Sequence, residues 1–218
     1  GLIARKINYS ALSDYLQYAA VHAPNTLVEG VSSLEPATVM TVGEDISSEE
    51  FWDIAHVQTG ATDGYFHDYA QSVREEFIQI CELYTDINLD LGVFLSGGID
   101  STALLGITKK LLGRSVQTFS LGFASPTSSV VDESALAQKT AQSFGVEHRE
   151  IMVDGYMARL AFESFVTAID QPSSDGFNTF LISRFAGEHV RVVLSGLGGD
   201  EVFQGYRVFK DLLNVKRF

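Results

Sequence analysis

The sequence predicts an α/β fold, a doubly wound and mostly parallel sheet with helices on both faces, preceded by an N-terminal helical connector. Three observations carry this. Four short runs rich in Val and Leu, starting at Leu91, alternate with helix-length segments, the pattern of strands buried on both faces of a parallel sheet. Two of these runs end in glycine-rich turns that lead straight into helices. The chain has 218 residues, 45% of them hydrophobic, enough to bury one core without disulfides or a structural metal.

The elements follow in order. From Ser10 to His22, residues Leu12, Tyr15, Leu16, Ala19 and Ala20 recur at helical spacing with Ser10 as cap, a short amphipathic helix expected to serve packing. Residues 24–50 mix Pro24, Gly30, Pro36 and Gly43 with a strand-like piece at Ala37–Val42 and an acidic stretch from Glu44 to Glu50, and read as a linker or docking segment. Thr62 to Ile87 keeps helical spacing through Phe66, Tyr69, Val73, Phe77, Ile80 and Tyr84, with Thr62 and Asp63 as capping residues. The alternating region begins with a strand at 91–96 and a helix from Ile99 to Leu112. A strand at Val116–Phe123, a helix at Glu133–Phe144 and a strand at His148–Val153 come next. Helices at 155–169 and 176–188, a strand at Val190–Leu194 and a helix from Asp200 complete the chain. Ser125 to Ser129 reads as a mobile loop.

Composition excludes several functions. With 15 Lys+Arg against 28 Asp+Glu the net charge is −13, and no basic stripe is present to follow a phosphate backbone, so nucleic acid is not an expected partner. No apolar run reaches the roughly 18 to 20 residues of a membrane span, and the GLIARKINYS start lacks a signal-peptide core. The single cysteine, Cys81, can form neither an internal bridge nor a cysteine-based zinc site, which points to a reducing, cytoplasmic setting. His22, His56, His67, His148 and His189 show no metal-ligand spacing, and structural hydrogen bonding is the expected role of His148 and Arg149.

Two loops carry the chemistry. Ser96-Gly97-Gly98-Ile99-Asp100-Ser101 follows the first core strand and opens its helix. Adjacent glycines let backbone amides turn toward a ligand, the Ser96 and Ser101 hydroxyls add donors, and the helix start adds partial positive charge, together a pyrophosphate cradle. Asp100 would repel bare phosphate and so predicts Mg²⁺ bridging the phosphate oxygens. Taken alone, the same loop also fits a tight strand-to-helix turn capped by Ser and Asp. A second loop of this kind, Ser195-Gly196-Leu197-Gly198-Gly199-Asp200-Glu201, follows the fourth strand. If the first and fourth strands are neighbours at a topological switch point, both loops open into one crevice. The second loop is not a dinucleotide fingerprint, because Glu201 stands where the third glycine would be, and no Walker Gly-Lys-Ser/Thr is present.

SGGIDS paired with SGLGGDEVFQGY resembles the synthetase domain of glutamine-dependent asparagine synthetases, within the PP-loop ATP pyrophosphatase group and its adenine nucleotide alpha hydrolase-like fold. TFSLGF at 118–123, DES at 132–134, GVEHRE at 145–150 and DQPSSDGFNTFLISR at 170–184 extend the resemblance across residues 60–210. It implies that residues 1–60 are a connector from a glutaminase domain and that 61–218 form the ATP pyrophosphatase domain. It also implies ATP and Mg²⁺ as cofactors. A carboxylate, aspartate or a related acceptor, would be adenylated with release of pyrophosphate, and ammonia from a glutaminase domain or partner would displace AMP. Ser96, Gly97, Gly98, Asp100 and Ser101 would hold pyrophosphate and metal, Phe94 and Leu121 would lie against the adenosine, Ser195 and Gly196 near AMP, and Asp200 would be a second metal ligand. A homo-oligomer is left open, and no catalytic residue is assigned.

Three departures bear on the acceptor and on turnover. Leu197 stands where asparagine-forming members commonly carry an acid, so a carboxylate other than aspartate is admitted. Gly1 is not the N-terminal cysteine nucleophile, so this chain is not expected to hydrolyse glutamine. The chain stops at Phe218, before the helices that supply the family's lysine, with only Lys210 and Lys216 after the second loop. The expectation is an excised piece of a longer protein or a product of gene decay. Asp170, Asp175 and Asn178 either line the acceptor side or cap a helix, and Glu201 is either a catalytic acid or a helix-start charge. A nucleotide-binding fragment without turnover, and a PP-loop ligase using free ammonia or an internal amine, stand as alternatives.

Overall fold

The computed structural model describes residues 3–56, 65–124, 133–173 and 176–215. The chain divides into two compact units, Gly1–Gly64 with Phe162–Phe177, and Tyr65–Ala161 with Asn178–Phe218.

In the first unit, helix α1 spans Tyr9–Tyr18. Its cap is Asn8, not Ser10: the Asn8 side chain accepts from the Ser10 and Ala11 amides at 3.2 Å each. Ala19 turns left-handed at φ 58° and ends the helix short of His22. Strand β1, Thr38–Val42, pairs antiparallel with β2, Ile46–Glu50. The acidic stretch expected to be a linker is therefore half of a hairpin, its β-branched residues Thr38, Val39, Thr41, Val42 and Ile46 favouring extended backbone. Phe162, Phe165 and Phe177 pack as an aromatic trio with centroids 5.2 to 6.1 Å apart.

The second unit opens with α2, Phe66–Thr85, whose first turn is held by the Tyr65 amide donating to Asp68 at 3.1 Å. Thr62 and Asp63 lie outside the described residues, as do the Ser125–Ser129 loop, Asp132, Asp175 and Lys216. Strand β3 is Leu91–Phe94, and α3, Ile99–Gly106, continues as a π-helical turn over Ile107–Leu111. There follow β4 (Val116–Phe123), α4 (Ser134–Phe144), β5 (Glu147–Val153), α5 (Gly155–Ala168), α6 (Gly176–Ala186), β6 (Val192–Leu194), α7 (Gly199–Phe203) and α8 (Arg207–Val215). The single helix expected from Asp200 is broken in two, because Gln204 turns left-handed at φ 58° and the Gly205 amide bonds back to the Asp200 carbonyl at 2.9 Å. Among the described residues no helix is long and apolar enough to cross a membrane.

The sheet order is β5-β4-β3-β6, and every pairing is parallel. Connections thus run outward from β3 in both directions, the doubly wound arrangement. Side chains alternate along β3. Leu91, Val93 and Leu95 join Leu104, Leu105, Ala137 and Ala141 in one core, whereas Phe94 packs against the other, built on Phe119, Ala186 and Val190. Helices α3 and α4 cover the first face and α6 the second. Cys81 is buried in the first core, and burial pushes its thiol pKa up, which removes thiolate reactivity.

Leu105 is fully buried. Leu105→Ala is expected to destabilise the protein by about 2–5 kcal/mol in urea denaturation, the cost of lost burial plus a cavity.

Candidate functional site

The turn after β3 closes on itself. The Ser96 amide donates to Ser101 Oγ at 3.3 Å, the two serine hydroxyls lie 3.2 Å apart, the Gly98 amide donates to Ser96 Oγ at 3.2 Å, and Ser101 Oγ donates to the Gly98 carbonyl at 3.3 Å. Ser101 is buried. It therefore braces the turn, a role beyond the free ligand donor that the sequence suggests. Gly97 has φ +85°, and a Cβ there would stand 2.7 Å from Leu136 Cγ, so only glycine fits. Helix α3 starts immediately after, and the amides of Ile99, Asp100 and Ser101 in its first turn have no acceptor within the helix.

The turn after β6 packs directly on this one. A Cβ at Gly196 would lie 3.1 Å from the Ser101 amide nitrogen and 3.2 Å from Asp100 Cβ, and a Cβ at Gly199 would lie 2.8 Å from the Asp100 carboxyl carbon. Both glycines thus ease the close approach of the two loops. The reason they meet lies in the sheet: β3 and β6 pair in register, Leu91 with Val192 through Val93 with Leu194, so their C-terminal turns emerge side by side.

Between them is a cleft of about 360 Å³ whose lining includes Phe94, Ser96, Gly98, Asp100, Ser101 and Leu121. The second loop contributes Ser195, Gly196 and Asp200 to the same lining. Of the ten residues that the resemblance assigns to ATP or metal, Gly97 alone does not line it, its part being the turn itself. Leu197 also lines the cleft and is 78% exposed. Ser120, Ser134 and Ile182 are lining residues that sequence reasoning missed, although each sits inside a motif quoted for the resemblance. Asn178 lies in the first turn of α6 and does not line the cleft, and Asp170 is exposed in the bend after α5.

Asp100 lies in the first turn of α3 and Asp200 in the first turn of α7, both line the cleft, and the Asp200 carboxylate also abuts Gly205. Among the described residues no three His, Cys, Asp or Glu side chains form a metal site of their own. Two carboxylates suit Mg²⁺ that completes its shell with phosphate oxygens and water. At the mouth, the Tyr206 hydroxyl donates to Glu201 Oε1 at 2.6 Å, and this bond holds the Glu201 carboxyl pKa below its ordinary value.

On the adjoining strands, His148 Nδ1 is 3.0 Å from Thr118 Oγ1, and Nε2 is 3.1 Å from Ser120 Oγ. Burial lowers the His148 pKa, with the Glu150 charge opposing. Arg149 bonds Gln117 Oε1 at 3.1 Å and pairs with Glu147 at 2.6 Å, so both residues make the structural bonds the sequence predicts.

The Asparagine synthase family matches residues 72–218. Asparagine synthetase [glutamine-hydrolyzing] 1 of Bacillus subtilis is 30% identical, covering 98% of this chain and 33% of that protein. A putative asparagine synthetase [glutamine-hydrolyzing] of Mycobacterium tuberculosis is also 30% identical, with the same coverage of 98% and 33%. Amidase chry2 of Gibberella zeae is 24% identical over 85% of this chain and 30% of its own length. The chain spans about a third of the length of these curated relatives.

The Glu201–Tyr206 bond can be read directly. The hydrogen bond favours the ionised carboxylate, so Tyr206→Phe is expected to move the Glu201 pKa upward toward the ordinary range in a carboxyl ¹³C titration, while wild-type Glu201 titrates at lower pH.

Proposed function

The chain belongs to the asparagine synthase family, and on that premise we propose that its cleft binds ATP and activates a carboxylate by adenylation for amide formation. The acceptor is aspartate or a related acid, and ammonia comes from a glutaminase domain or partner. In the same reading, residues 1–60 are the connector and 61–218 the ATP pyrophosphatase domain. The observation that carries the proposal is the contact of the two loops: Gly196 and Gly199 pack on Asp100 and Ser101, so two turns remote in sequence build one cleft at the strand C-termini.

The chemistry asks for two things. An acceptor carboxylate oxygen attacks the α-phosphorus and pyrophosphate leaves; ammonia then attacks the acyl carbon, AMP leaves, and a proton is lost. Negative charge grows on the departing pyrophosphate, and the first-turn amides of α3, which have no acceptor within the helix, would receive it. The ring of bonds joining Ser96, Gly98 and Ser101 braces the turn from which those amides emerge, so they would reorganise little as charge develops. Bound Mg²⁺, held by Asp100 and Asp200, would neutralise phosphate oxygens and polarise the phosphoryl group. Phe94 and Leu121 offer apolar surface to the adenosine, and Ser195 and Gly196 border the AMP portion. Tyr206 keeps Glu201 ionised and oriented at the cleft mouth.

Leu197 supports an acceptor other than aspartate. It lines the cleft as an exposed apolar side chain where a carboxylate would be needed to pair with an ammonium group.

Calorimetric titration of the folded chain with ATP, with and without Mg²⁺, tests the reading. Mg²⁺-dependent binding is expected, with Asp100→Ala losing at least tenfold in affinity, about 1.4 kcal/mol, at unchanged fold. Ser96→Ala should cost only about 1 kcal/mol, the worth of one neutral hydrogen bond. Absence of MgATP binding by the folded wild-type chain, or equal affinity in Asp100→Ala, refutes it.

A further inference from the structure

Thr118, Ser120 and His148 form a chain of hydrogen bonds on one face of the sheet, and it ends at the cleft. Thr118 and Ser120 are two apart on β4, so their side chains share a face, and His148 on β5 is the register partner of Thr118. Both hydroxyl residues are buried, Thr118 fully and Ser120 to 4% exposure, and Ser120 lines the cleft while Thr118 does not.

The protons can be assigned by elimination. The Glu147 carbonyl can only accept, and Thr118 Oγ1 donates its one proton there at 2.9 Å. Thr118 Oγ1 must then accept from His148 Nδ1–H at 3.0 Å. In the neutral ring this leaves Nε2 bare, and at 3.1 Å it takes the proton of Ser120. Burial favours the neutral ring. The Ser120 oxygen has therefore given its hydrogen inward, and only lone pairs remain for whatever enters the cleft.

We infer that His148 is a positioning residue that fixes Ser120 as a hydrogen-bond acceptor for a hydroxyl or amino group of the bound nucleotide. The inference rests on the nucleotide reading of the cleft and adds two residues to it. The other polar side chains on the cleft wall are carboxylates and the hydroxyls of Ser96, Ser101, Ser134, Ser195 and Tyr206, all outside the strands, so Ser120 is a neutral acceptor placed on the sheet itself beside Leu121. A ligand donor would find there an oxygen whose orientation is set before binding.

The test is MgATP titration of the wild-type chain, Ser120→Ala, His148→Leu and their double variant at one pH near neutrality. Each single variant is expected to weaken binding three- to tenfold, and the double variant no more than the larger single effect, because both remove the same acceptor. Thr118→Val keeps the β-branched shape and removes the hydroxyl that fixes the ring, and should fall in the same group. Where His148→Leu does not fold, Ser120→Ala with Thr118→Val carries the cycle. The weakening should vanish with one of 2′-deoxyATP, 3′-deoxyATP or the triphosphate of purine riboside, whichever lacks the donor. A merely structural role lowers the melting temperature of the variants and leaves MgATP affinity unchanged, and that result overturns the inference. So do additive effects, weakening that persists with all three analogues, or ¹⁵N resonances showing the Nε2–H tautomer of His148. If the wild-type chain itself binds no MgATP, the nucleotide reading fails and this inference falls with it; MgATP binding that Ser120→Ala leaves untouched removes the inference alone.

Discussion

Parallel pairing of β3 with β6 is the constraint on which the candidate site depends. Three register pairs, Leu91 with Val192, Gly92 with Val193 and Val93 with Leu194, hold together two strands that lie far apart in sequence. Because strand ends in register release their turns at the same level, the turn after each strand has nowhere to go but against the other. A side chain at Gly196 or Gly199 would crowd Asp100 or the start of α3. The glycines are thus favoured by the packing between the loops, and in the proposed function also by bringing amides near a ligand.

How an acidic chain could hold the proposed polyanion follows from the same geometry. A net charge of −13 sets a repulsive background, but at ordinary ionic strength it is screened over roughly 8–10 Å. The first-turn amides of α3 act within hydrogen-bond distance, where the partial charge of a helix start outweighs distant side chains. Asp100 and Asp200 would be a liability there unless a cation lay between them and the phosphates. The composition therefore says little about this ligand, while the local backbone says much.

Much of this was legible in the sequence because the core strands are short apolar runs buried on both sides, and Leu91, Val93, Leu95, Val116 and Phe119 are all buried as that pattern requires. The glycine turns were legible from residue type alone. What escaped has physical reasons. The strand Ile46–Glu50 is exposed along its whole length, so no alternation of apolar and polar residues marks it. The break at Gln204 depends on a left-handed turn by a residue other than glycine, which the sequence does not signal. Asn8 displaces Ser10 as the α1 cap because both are good caps and only backbone geometry chooses between them. The bonds linking Thr118, His148 and Ser120 need the β4–β5 register, which places Thr118 beside His148, and register cannot be read from either strand alone.

The sheet order also has a consequence for how the cleft comes into being. β3, β4 and β5 follow one another in the sheet as they do in the chain, each pairing with its predecessor. β6 does not extend that series; it returns to the opposite edge and pairs with the strand that came first. Three strands and the first glycine turn therefore do not make the cleft; it requires Val192–Leu194 beside β3, which carries the second turn into contact with Asp100. Without that pairing the β3 edge would be an open strand border of the kind that invites association with other chains. The strand that completes the site thus also covers β3, and leaves as the border on that side a strand of only three residues, the short kind of edge that resists such association.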